Sequence, residues 1–102
     1  MNTCCKNNEK NYLKIEKSVD LLKAISEPNR LRILCTLSKD KICVCELAEK
    51  IGIPQNLMSF HLKTLHEVGI LEKKREGNNI YYVIAKKWNK KIENIFQFLD
   101  IK

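Results

Sequence analysis

The chain has no long apolar run. None of its segments approaches the ~18 consecutive apolar residues of a membrane-spanning helix. Its opening, Met1-Asn2-Thr3-Cys4-Cys5-Lys6, lacks the apolar core of a secretory signal. These absences predict a cytoplasmic protein with no membrane partner. There is no internal repeat and no low-complexity tract, so a repeat array is excluded. No nucleophile–base constellation can be assembled from its residues, which argues against an enzyme and against a small organic substrate. Acidic residues are also scarce: 12 Asp and Glu stand against 19 Lys and Arg, for a net charge of +7. That balance favours an acidic partner, chiefly nucleic acid. The 102 residues fit one domain, small enough to gain from dimerisation. Five cysteines in a reducing compartment are expected to be thiols and point to metal or redox chemistry.

What is present is a series of short amphipathic segments. Residues 1–9 are polar, carry the Cys4-Cys5 pair and are expected to form a flexible arm with no core of its own. Residues 10–102 form the domain. From Lys10 to Ile25, Tyr12, Ile15, Val19 and Leu22 keep the 3-4-3 spacing of one helical stripe, widened by Leu13, Leu21 and Ala24. Glu27-Pro28-Asn29 breaks that pattern. Pro28 suits the first turn of a second helix, where its missing N–H is not needed. This helix, through Leu37, is apolar around much of its circumference and is expected to be central. Cys35 within it reads as a small core residue. Ser38-Lys39-Asp40-Lys41 is a loop.

A short third helix is predicted from about Cys45 to Ile51, with Val44, Leu47, Ala48 and Ile51 inward and Gly52 as a left-handed cap. A fourth runs from Gln55 to Glu67 on a core stripe of Met58, Leu62 and Leu65. Pro54 stands where an N-cap or a first helical residue belongs; it fits the latter and offers no capping oxygen as the former. Strands follow at Ile70–Arg75 and Ile80–Ile84. The turn between them contains Gly77 and Asn78, both tolerant of positive φ. The last helix, Lys86–Leu99, has Trp88, Ile92, Ile95, Phe96 and Leu99 on one face.

The fold class is therefore mainly α with a β-hairpin: a winged helix-turn-helix of five helices and a wing. The stripes on the first and last helices exceed what a three-helix core covers. They are expected to meet their symmetry mates in a homodimer, through Leu13, Val19, Trp88, Ile92, Phe96 and Leu99. The alternative is that both fold back onto their own core.

The fourth helix is the candidate for reading double-stranded DNA. Opposite its core stripe lie Gln55, Asn56, Ser59, Phe60 and Lys63. Amides bond adenine edges, Ser reaches a base or a phosphate, and Lys reaches guanine or a phosphate. Phe60 either touches a thymine methyl or belongs to the core. His61 is expected to be packed and hydrogen-bonded, and His66 solvated. Lys73, Lys74 and Arg75 lead to the wing tip, where phosphate contact positions a protein without specifying sequence. Otherwise they are a solvated strand edge that blocks aggregation.

Cys43 and Cys45 are two residues apart. Within a helix, at ~100° per residue, their side chains would diverge. At a helix start the backbone is still extended, and both sulfurs can converge. The helix N-terminus is expected to lower the thiol pKa and favour the thiolate. Two sulfurs do not close a site, and Cys4 and Cys5 are the remaining donors, unless they are incidental thiols. All-sulfur ligation selects soft ions. Three sulfurs suit As(III), Sb(III) or Bi(III); four suit Cd(II) or Zn(II). The adjacency of Cys4 and Cys5 tilts the balance toward three. No metal is expected to be needed for folding.

The order of elements, with Glu27-Pro28-Asn29-Arg30-Leu31-Arg32-Ile33-Leu34, Ile42-Cys43-Val44-Cys45-Glu46-Leu47, Ser59-Phe60-His61-Leu62-Lys63 and a wing ending in Tyr81-Tyr82, resembles the ArsR/SmtB family of metal-responsive repressors over nearly the whole chain. The resemblance implies a homodimer that represses its operator when apo. It would leave the operator when a thiophilic ion such as As(III), Sb(III), Cd(II) or Pb(II) binds. Some arsenical repressors of the family add a third cysteine three residues after the second; that position here is Ala48. Others bring N-terminal cysteines across the dimer onto the Cys-Val-Cys helix. Cadmium-type arms separate their two cysteines, whereas the adjacent Cys4-Cys5 is similar to an arsenite-sensing variant. The implied metal set is Cys43 and Cys45 with Cys4 and Cys5 of the partner subunit. Persulfide sensors of the family pair a cysteine on the second helix with one on the last. Cys35 has no such mate, which leaves a redox- or persulfide-sensing repressor as the alternative function. Zinc sensors use His on the last helix, and residues 85–102 contain none.

Overall fold

The computed structural model describes residues 9–39 and 41–101, with Glu9 described for its backbone alone. The arm that carries Cys4 and Cys5 therefore lies outside the described residues. Five helices and one hairpin follow in order: α1 Glu9–Ile25, α2 Pro28–Leu37, α3 Val44–Ile51, α4 Gln55–Glu67, β1 Leu71–Glu76, β2 Asn79–Ile84 and α5 Lys86–Phe98. This is a winged helix-turn-helix, with α3 and α4 as the helical pair and β1–β2 as the wing.

Local chemistry fixes the boundaries. Glu27 is extended, with φ −146° and ψ 130°, and its carboxylate accepts the Arg30 N–H at 3.0 Å, while Pro28 opens α2. Gly52 takes φ 84° and donates its N–H to the Ala48 carbonyl at 2.8 Å, which ends α3. Of the two positions open to Pro54, it takes the N-cap of α4, with no side-chain cap, and its carbonyl accepts the Met58 N–H at 3.0 Å.

The wing begins one residue later than the apolar pattern predicts. Ile70 is spent on closing the bend: its N–H bonds to the Leu65 carbonyl at 3.1 Å, and its own carbonyl accepts from Ala85 at 2.8 Å. The strands pair antiparallel from Leu71↔Ile84 to Glu76↔Asn79, leaving the two-residue turn Gly77-Asn78. Gly77 takes φ 60°, and Asn78 does not share that conformation. One positive φ, at the first turn position, matches a II′-type hairpin turn rather than the two that both residues would permit.

The core is continuous from α2 to α5, with Ile33, Leu34, Leu47, Met58, Leu62, Leu65, Ile70 and Leu71 fully buried. Each such side chain contributes roughly 1.5–3 kcal/mol of transfer free energy. Trp88, Ile92 and Phe96 of α5 are buried in the same core, Ile92 to 1% exposure. This corrects the expectation that these three require a partner chain: the chain's own core encloses them. The apolar surface that stays open lies elsewhere. Tyr12, Leu13, Ile15, Val19 and Leu22 of α1 are exposed, as are Leu99 and, at 87%, Phe98. His66 is exposed, as expected, with Nδ1 3.0 Å from the Leu71 carbonyl and its ring edge-on to Tyr82.

Candidate nucleic-acid interface and thiol site

Gln55, Asn56, Ser59, Phe60 and Lys63 are all exposed on α4, on the side away from Met58, Leu62 and Leu65. Phe60 is 58% exposed, so it does not belong to the core. Pro54 gives α4 no side-chain cap, and its first turn has no acidic residue. The leading N–H groups thus have no capping side chain at the positive end of the helix dipole, an arrangement that suits phosphate.

Lys73, Lys74 and Arg75 are exposed on β1. Strand pleat divides them. Lys73, opposite Tyr82, and Arg75, opposite Ile80, share one face, while Lys74, opposite Tyr81, lies on the other. Lys73 meets α4 across a cleft of about 500 Å³. Beyond the wing, Lys41 lies 4.8 Å over the Tyr81 ring and pairs with Glu76 at 2.6 Å.

The same cleft is lined by Cys43 and Cys45 together with Gln55, Ser59, Lys63 and Lys73. Cys43 is the N-cap of α3, extended at φ −77° and ψ 165°, and its carbonyl accepts the Leu47 N–H at 2.9 Å. Its backbone also bridges to Tyr81 of β2, which ties the thiol box to the wing. The two sulfurs lie 3.2 Å apart, and Glu46 Oε1 is 3.5 Å from the Cys43 sulfur. Convergence follows from that extended cap: only Cys45 has entered the helix.

The expected thiol acidity is corrected. The Glu46 N–H pulls the Cys43 pKa down, as a helix start should. The neighbouring Cys45 thiol, withdrawal from water and the Glu46 carboxylate together push it up, and it ends above the ordinary thiol value.

Among the described residues no three His, Cys, Asp or Glu side chains form a metal site. The two thiols fit one edge of a soft-metal shell. Tetrahedral Zn–S bonds of about 2.3 Å set sulfurs about 3.8 Å apart, so this pair need open only slightly. Cys4 and Cys5, the further donors expected from the sequence, lie outside the described residues.

One constellation escapes the sequence pattern. Arg30 Nε donates to the Ala24 carbonyl at 2.6 Å, and its Nη1 meets His61 Nδ1 at 3.1 Å. His61 Nε2 lies 3.9 Å from Glu27 Oε2. Glu27, Arg30 and His61 each stand in a segment that the sequence singles out, yet their meeting across 31 residues has no spacing signature. These contacts hold Glu27 below the ordinary carboxylate range. Burial alone would raise it, but the N–H of Arg30, the His61 ring, the N–H of Asn29 and the Arg30 charge outweigh that effect.

A helix-turn-helix with an outward polar face and a basic wing defines a DNA-binding transcriptional regulator. Residues 27–73 match the model of the arsR family of bacterial regulatory proteins. Over 89 residues the chain is 33% identical to an uncharacterised HTH-type transcriptional regulator of Methanocaldococcus jannaschii, covering 85% of this chain and 96% of that one. The chain belongs to the arsR family. It is also 34% identical to the HTH-type transcriptional repressor SmtB of Mycobacterium tuberculosis over 70% of this chain, and the match spans about half (53%) of that relative's length. The homodimeric winged helix-turn-helix domain of Mb0332 from Mycobacterium bovis superposes with a TM-score of 0.84 at 23% identity, covering 93% of this chain and 89% of that one, a likeness of fold. No helix among the described residues is long and apolar enough to cross a membrane.

Proposed function

We propose that this protein is a homodimeric repressor that leaves its operator when a thiophilic metal(loid) ion binds Cys43 and Cys45. The observation that carries this reading is the shared cleft. The paired sulfurs and the side chains offered to DNA, Gln55, Ser59, Lys63 and Lys73, line one space. Asn56 and Phe60 complete the reading face, and Lys74 and Arg75 extend the phosphate contact along the wing. Cys4 and Cys5 of the partner subunit are the donors proposed to complete a three-sulfur As(III) or Sb(III) site, or a four-sulfur Cd(II) site. Cys43 is tied to both α3 and the wing, so drawing its sulfur toward new donors shifts the two elements that frame the cleft. Linkage then requires DNA to weaken ion binding by the same factor.

The dimer seam is proposed on the open apolar surface: Leu13 and Val19 of α1 with Phe98 at the end of α5 and Leu99 just beyond it. A groove of about 440 Å³ lies there between Val19, Leu22, Ile95 and Phe98.

The experiment is a fluorescence titration of labelled duplex with reduced protein, before and after As(III) or Cd(II). Wild type should release the duplex. Cys43→Ser should bind it with unchanged affinity and fail to release, and Cys35→Ser should behave as wild type. Release by Cys43→Ser at wild-type ion concentrations overturns the assignment of the thiols. Full release by a Cys4→Ser/Cys5→Ser double variant overturns the assignment of the arm.

The 3.2 Å sulfur approach also favours a second reading, oxidation. The two thiols would form one disulfide while a peroxide is reduced to two waters. Metal-free protein that releases DNA with peroxide and rebinds it with dithiothreitol would establish that chemistry instead.

A further inference from the structure

The Arg30 guanidinium is the meeting point of three helices. It bonds the last turn of α1 through the Ala24 carbonyl at 2.6 Å and the middle of α4 through His61 at 3.1 Å. The backbone N–H of Arg30 donates to the carboxylate of Glu27, the cap of α2, at 3.0 Å. Guanidinium only donates, so His61 Nδ1 is the acceptor and the ring proton sits on Nε2, toward Glu27. His61 is 4% exposed, and no buried side-chain polar atom among the described residues lacks a partner.

The neighbours of His61 on α4 make this joint matter. Ser59 and Phe60 precede it and Lys63 follows it, all on the exposed face. The Phe60 ring sits tilted 5.4 Å from the imidazole. A buried side chain held on one side of a helix fixes the roll of that helix about its axis, and hence where the opposite face points. Ala24, at the other end of the joint, closes the helix whose outer stripe is the exposed apolar surface of α1.

We infer that Arg30 and His61 are a positioning pair that sets the roll of the recognition helix relative to the dimer seam, and thereby the distance between the two half-sites the dimer can read. Neither residue touches DNA. The inference rests on the reading of the protein as a dimer bound to two half-sites. Such dimers demand half-sites at a set distance along the duplex. A loosened joint should let each reading head adapt and so tolerate other distances.

The test uses the full chain and a fluorescein-labelled duplex selected from a random pool by the wild-type protein. Its spacer is then lengthened or shortened by about one or two base pairs. Wild type should lose about tenfold in affinity on the altered spacers. Arg30→Met and His61→Leu should flatten that dependence to within about threefold. Their double variant should fare no worse than either single, because one joint is broken once. His61→Asn, whose amide oxygen can take the place of Nδ1, should restore the wild-type profile.

Equal loss on every spacer, or unfolding of Arg30→Met and His61→Leu judged by circular dichroism, would show a purely structural role and overturn the inference. Singles that multiply in the double variant would overturn it too. A wild type indifferent to spacer length would instead overturn the two-half-site reading, and the inference with it. The two failures are therefore told apart by the wild-type profile alone.

Discussion

Helices α1 and α5 both carry an apolar stripe, and the two stripes meet different fates. On α5, Trp88, Ile92 and Phe96 are enclosed by the chain's own core; on α1, Leu13, Val19 and Leu22 face outward. The difference lies in their connections. α5 leaves the wing through Ala85, whose N–H is pinned to the Ile70 carbonyl at 2.8 Å, and packs Trp88, Ile92 and Phe96 into the core. α1 reaches the core only with its last turns, where Leu21, Ala24 and Ile25 pack. A helical stripe tells which face wants cover. The connection decides what supplies it.

The sharpest way to break this contrast is a charge on each stripe. Ile92→Glu places a carboxylate in a fully enclosed site and should cost about 4 kcal/mol or more, unfolding the chain rather than freeing a folded monomer. Urea denaturation monitored at Trp88 would read this directly, and a stable folded variant would contradict the burial of α5. Val19→Glu, on the open stripe, should leave chain stability within about 0.5 kcal/mol. Its dimer dissociation constant should rise about a hundredfold, equivalent to ~2.7 kcal/mol. Sedimentation velocity over a concentration series is the measurement. An unchanged dimer would move the seam away from α1.

A smaller effect is expected at the joint where α1 meets the core. Glu27→Ala removes the cap of α2 and should cost about 1 kcal/mol. The carboxyl is held below its ordinary pKa, so its stabilisation is present above the ordinary carboxylate range and fades as pH falls through the lowered value. Thermal melts of wild type should therefore weaken toward acid more steeply than melts of Glu27→Ala. Parallel curves would show that the carboxylate contributes nothing. The mildest change belongs to the wing, remote from both stripes. Lys73→Ala should leave stability and dimerisation alone and lower the salt slope of DNA binding by about one for each phosphate that is no longer neutralised. Lys74→Ala tests the opposite face of the same strand. Were it the only one of the two to change the slope, the DNA would lie on the far side of the wing.

Much of the fold is legible in the sequence because its punctuation is local. Pro28, Gly52 and Gly69 mark helix ends by conformations that few residues share, and α4 falls on the predicted Gln55–Glu67. What escapes is non-local or a balance of opposing effects. The stripe of α5 announces its own amphipathic face but not its cover. The Arg30–His61 contact joins segments whose separation carries no period. The helix start alone would make Cys43 more acidic, but the neighbouring Cys45 thiol and Glu46 carboxylate reverse the direction.

The backbone bridge from Cys43 to Tyr81 makes the wing something other than a free-standing hairpin. β2 has two edges. β1 covers one along its length, and Cys43 covers the other at a single point. A strand edge left bare exchanges its amide protons and invites other strands. The thiol box is thus also a clasp on the outer hem of the wing. Whatever opens it will be visible in the amide exchange around Tyr81, in a part of the molecule that carries no sulfur at all.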